Sequence, residues 1–120
     1  MINTADYLTA IHALLDEHDF PRDRFRIVPK LERAGMSWEG SILVRDKIGE
    51  EEGLPLMPTE RVREVLLSNP ELMVRCLVLH EMFHCLNHFT PVDQLSGEER
   101  IARDFDADHW ALEQMGLNEY

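Results

Sequence analysis

Residues 77–89 read LVLHEMFHCLNHF. His80, Glu81, His84 and His88 interrupt a run that otherwise has the composition of a hydrophobic core. Such groups are costly to bury unless each finds a partner, so fold and chemistry both turn on where those partners lie. Asn69-Pro70 marks the start of the helix that carries them: a capping side chain, then a residue whose missing N–H costs nothing in the first turn. Beyond it, Leu72, Met73, Val74, Leu77, Val78, Leu79, Met82, Phe83 and Leu86 cover almost the whole circumference. A helix that is apolar all round is a buried one. This one is expected to run through the middle of the protein to about Asn87 or His88.

On that helix HEMFH fits the pattern H-E-x-x-H. His80 and His84 stand one turn apart and about 40° round, so two imidazole nitrogens can meet at one ion. Glu81 is displaced by 100° towards the His84 side. That is too offset to complete a ligand set comfortably, yet close enough to reach a water on the metal. Zinc lowers the pKa of such a water, and a carboxylate can take its proton as it attacks a carbonyl. His88 continues the series, but it lies about 12 Å from His80 along the axis. It is therefore read as a substrate-side or surface residue.

A catalytic zinc needs a third protein ligand, and the candidates lie in RIARDFDADHWALEQM, residues 100–115. Ser96 to Glu99, SGEE, is a capping box that opens a last helix ending before Gly116. Projected on that helix, Ile101, Phe105, Leu112 and Met115 form an apolar stripe that contains Asp104 and Asp108. Asp106, Glu99 and Glu113 fall on the far side. Carboxylates on a buried face need a partner or a metal. Each helix solves the other's problem if the two pack face to face around an ion.

Outward from this pair, residues 4–18 read as an amphipathic helix, with Leu8, Ile11, Leu14 and Leu15 on one side and Asn3 or Thr4 as cap. RFRIV (24–28) and SILVR (41–45) read as a strand pair, with the turn-rich ERAGMSWEG between them. GEEEGLPLMP (49–58) reads as a loop with a short extended piece at 54–57, and Thr59 caps a helix to about Leu67. The class is α+β, a small sheet followed by helices. At 120 residues the chain has the length of a single domain with one modest core.

Composition narrows the function. A formal charge of −11 disfavours nucleic acid, which binds through Lys and Arg that displace counterions. No apolar run is long enough to span a membrane, and the opening MINTADYLTAIHALLDEHDF lacks the basic start of a signal peptide. Cys76 and Cys85 would point to opposite sides of one helix and cannot pair with each other. Free thiols without an export signal lead to the expectation of a reducing cytoplasm.

His80-Glu81-x-x-His84, followed about twenty residues later by an acid with Asp four further on, resembles the zincin metallopeptidases of the gluzincin type. Their pattern is H-E-x-x-H on one helix and E-x-x-x-D on the next. The likeness covers roughly residues 71–115 and departs from the family at Asp104, where gluzincins have Glu. It implies a minimal zincin-like fold, zinc as cofactor and a peptide or protein as substrate. It also implies Asp104 as third ligand, Asp108 as hydrogen-bond partner of a ligating histidine, and Glu81 as general base. Asp106 stays open as the alternative ligand. An edge strand that holds extended substrate is implied too, with Ser41 to Arg45 as the candidate, and His88, His109 and Tyr120 are the nearest residues to stabilise an oxyanion. The rival reading is a zincin-fold binding or regulatory module with a structural zinc. A purely structural site has no use for Glu81, which favours the enzyme.

Overall fold

The computed structural model describes residues 1–117, so Tyr120 lies outside the described residues. Along the chain come β1 (Ile2–Asn3), α1 (Leu8–Glu17), β2 (Phe25–Val28), β3 (Gly35–Trp38), β4 (Ser41–Arg45), β5 (Lys47–Ile48), α2 (Glu60–Leu67), α3 (Pro70–Asn87) and α4 (Gly97–Gln114). The fold is α+β. Short 3-10 turns precede α1 and β2 and lie between α3 and α4.

α3 organises the rest. The Asn69 side chain accepts a hydrogen bond from the Leu72 N–H at 3.3 Å, and Pro70 occupies the first turn. The helix packs against α4, against β3 and β4 of the sheet, and against α1 and α2. Met73, Val74, Cys76, Val78, Leu79 and Met82 are all fully buried. Burying one such aliphatic side chain is worth about 1.5–3 kcal/mol. That all-round burial is what the apolar circumference requires.

The main sheet has the order β2-β4-β3. β4 runs parallel to β2, with Phe25 opposite Ile42, and antiparallel to β3, with Trp38 opposite Ser41. The hairpin between β3 and β4 turns on Glu39 and Gly40, both at positive φ (50° and 79°). That is the two-residue turn whose twist matches antiparallel strands. Two expectations are corrected here. Ser41–Arg45 is not an edge strand: it is central, with Ile42 and Val44 fully buried and both rows of its backbone groups committed to neighbours. The open edge on the α3 side belongs to Gly35–Trp38, in a segment expected to be turn. The strands at 25–28 and 41–45 do pair, but in parallel, because β3 carries the chain back between them.

Smaller differences have local causes. Residues 54–57 form no strand and remain loop. β1 and β5 make a two-residue antiparallel ladder too short to be read from periodicity. On α4 the buried line is Ala107, Asp108 and Ala111, while Ile101 and Phe105 are 54% and 40% exposed. The helix is rolled away from the apolar stripe because two alanines allow a closer approach to α3 than Ile and Phe would. Among the described residues no helix is long and apolar enough to cross a membrane. Cys76 is a buried free thiol and Cys85 a half-buried one.

Candidate metal centre

α3 presents His80 and His84 to α4, which presents Asp104 and Asp108. The His80 and His84 Nε2 atoms lie 3.1 Å apart. Asp104 Oδ1 stands 3.1 Å from His84 Nε2 and 3.4 Å from His80 Nε2. Three atoms from two helices thus form a nearly equilateral triangle. Tetrahedral bonds of about 2.0–2.1 Å separate ligand atoms by roughly 3.3–3.4 Å, so the triangle fits one face of a zinc tetrahedron. Glu81 makes a poorer third member, since the set of His80, Glu81 and His84 is held only to within 4.8 Å.

The helix packing explains how the shorter aspartate reaches. Ala107 and Ala111 are fully buried on α4, and with no bulk at those positions the two backbones close up. Asp106 is exposed and belongs to the opposite face.

Behind the triangle each imidazole is held by its other nitrogen. His80 Nδ1 lies 2.7 Å from Asp108 Oδ1. With Nε2 turned to an ion, Nδ1 carries the proton and donates it to the carboxylate. Asp108 is itself buried and anchored, because its Oδ2 accepts the Leu56 backbone N–H at 2.8 Å. His84 Nδ1 lies 2.8 Å from His88 Nδ1, so with its Nε2 turned to an ion His84 would donate from Nδ1 to the His88 ring. His88 was read as a substrate-side or surface group. The structure makes it a half-buried backing residue, a role that its own spacing of four from His84 could have suggested.

Charge follows from this geometry. Burial opposes a positive His80, but hydrogen bonds to Asp104 and Asp108 and the charges of Glu81 and Asp108 outweigh it and hold its pKa at about 10. Hydrogen bonds from His80 and His84 hold the Asp104 carboxyl well below the usual carboxylate range.

Glu81 is buried beside the triangle. Burial pushes its pKa up, against the opposing pull of His80, His84 and the Ser37 hydroxyl. That hydroxyl lies 3.0 Å from Glu81 Oε1 and equally 3.0 Å from the Glu81 carbonyl oxygen. Sequence reading missed Ser37, which sits in the strand taken for turn. Of the other oxyanion candidates, Tyr120 lies outside the described residues and His109 does not join the cluster: it is exposed and lies 3.9 Å from Glu113 on its own helix. No protein-family model, curated protein or solved structure matches this chain.

Proposed function

We propose that this protein is a zinc metallopeptidase of the zincin type, in which His80, His84 and Asp104 hold the metal. The observation that carries the reading is the three-atom triangle with a buried carboxylate, Glu81, alongside it. Bound there, zinc would supply Lewis acidity towards a water and a substrate carbonyl. Glu81 takes the proton of the attacking water and passes it to the departing amine nitrogen, a task suited to a carboxylate whose pKa is raised by burial. Asp108 fixes the His80 ring and His88 the His84 ring, so the two ligands keep their orientation through the cycle.

The substrate on this reading is an extended polypeptide. Hydrogen bonding from the Arg45 N–H to the Ala34 carbonyl (2.8 Å) fixes the alternation along the hairpin. It turns the backbone groups of Gly35 and Ser37 away from β4; Gly35 is buried and Ser37 half-buried, so the accessible pairing position is at Ser37. An added strand would pair there, next to Glu81. The acidic surface is unsuited to nucleic acid, and two free thiols favour a reducing, cytoplasmic setting.

A binding module with structural zinc is the second reading. It is favoured by His88, whose ring backs His84 and does not stand free to stabilise an oxyanion. A broad peptide library at neutral pH, with wild type and Glu81→Gln side by side, separates the two. The enzyme reading expects cleavage by wild type and a loss of about 10²- to 10⁴-fold in the variant, with zinc retained in both. Equal cleavage by both proteins, or zinc-loaded wild type that cleaves nothing, contradicts it.

A further inference from the structure

We infer that Ser37 is the positioning residue for Glu81, and that the edge strand β3 is built to cradle this carboxylate. The inference rests on the peptidase reading of the site and goes beyond it, since neither the motif nor its spacing points to β3. Two observations on one face of the strand carry it. The Ser37 hydroxyl is 3.0 Å from Glu81 Oε1. Two residues earlier, a Cβ placed on Gly35 would stand 3.2 Å from both Glu81 Cγ and Oε2 and 3.0 Å from Leu77 Cδ1. Residues i and i+2 of a strand share a face. Gly35 therefore leaves the space that the carboxylate fills, and the Ser37 hydroxyl, shared between Oε1 and the Glu81 carbonyl oxygen at 3.0 Å each, ties the carboxylate to its own backbone and fixes its rotation.

The arrangement answers a problem posed by the chemistry. A glutamate has three rotatable bonds, and a base that must meet a water at one point loses rate if its carboxylate wanders. The helix fixes only the Glu81 Cα. Ser37 engages Oε1, while Oε2 lies in the space that Gly35 leaves. Since the half-buried Ser37 turns its backbone groups away from β4, the strand that would receive the substrate is the same strand that holds the base. Substrate docking and base placement are then coupled through Ser37.

The test compares zinc-loaded wild type, Ser37→Ala, Ser37→Thr and Glu81→Gln by steady-state kinetics and by the ¹³Cδ resonance of Glu81. Thermal melts and zinc content verify that each variant is folded and loaded. Ser37→Ala is expected to lower kcat roughly ten- to a hundredfold, the worth of one hydrogen bond to a charged group, with KM little changed. It should also move the Glu81 resonance, and Ser37→Thr, which restores a hydroxyl, should recover both. Ser37→Ala with unchanged kcat and an unmoved resonance overturns the proposal. A loss expressed in KM, or one that threonine does not rescue, also overturns it, since that would be a packing effect. Failure of the peptidase reading looks different: wild type and Glu81→Gln then cleave alike, whatever the resonance does.

Discussion

Asp104 is the residue on which the proposed ligand set depends, and its geometry makes that role separable from the roles of its neighbours. Its Oδ1 lies within 3.4 Å of both histidine nitrogens, whereas Asp106 faces away. Asp104→Ala should therefore strip most zinc affinity, while Asp106→Ala should bind as wild type does; competition against a chromophoric chelator reads both. Silent Asp104→Ala with damaging Asp106→Ala would mean that the described register of α4 is wrong. Asp108→Ala keeps all three ligand atoms but frees the His80 ring, for an expected loss of about 10- to 100-fold in affinity. At this scale the motif residues were legible because H-E-x-x-H is a local pattern on one helix. Ser37 and His88 were not. Ser37 acts from a segment 44 positions away, and His88 acts through its neighbour His84 and not through His80.

The elements were legible where their ends carry chemistry of their own. Asn69 caps α3, Thr59 caps α2, and Ser96 with Glu99 closes the box at the start of α4. β3 escaped because four residues containing Gly and Ser, followed by Glu39-Gly40, have the composition of a turn. The central place of β4 had no such signal: burial alternates along it, with Ile42 and Val44 buried and Leu43 partly exposed, as on a strand with one covered face. Gly35 offers a test at this scale. Its Cβ would press on Leu77 of the central helix as well as on Glu81, so Gly35→Ala should destabilise the protein by about 1–3 kcal/mol through overpacking. A urea titration that shows no loss would mean that β3 and α3 are less closely packed than described. Leu79→Ala, at a fully buried position of α3, should cost about 2–5 kcal/mol.

For the whole molecule, zinc held at the proposed centre would tie α3 to α4 and make stability depend on metal and on pH together. In the metal-free protein the His80 pKa stands at about 10, above its ordinary 6.5. Its contribution is fully present below 6.5 and lost as pH rises through 10. The lowered Asp104 contributes above its ordinary 3.8 and loses that contribution as pH falls. Metal-free protein should accordingly be most stabilised by this pair between about pH 4 and 6.5. Zinc must displace the His80 proton, so its apparent affinity should rise about tenfold per pH unit for each proton released between about pH 6 and 8. Thermal melts of metal-free protein from about pH 3 to 10 check both signs, and a zinc affinity that is flat with pH between about 6 and 8 would contradict the assigned ligands. At saturating metal, about 1,000 times Kd, the gain is about 4 kcal/mol. The central claim is that His80, His84 and Asp104 together hold one zinc ion, and metal titration of stripped protein with elemental analysis of the product tests it most directly. The account predicts close to one equivalent per chain in wild type and Glu81→Gln, and loss of tight binding in His80→Ala, His84→Ala and Asp104→Ala. Folded wild type that refuses added zinc, or three variants that bind it as tightly as wild type, would contradict it.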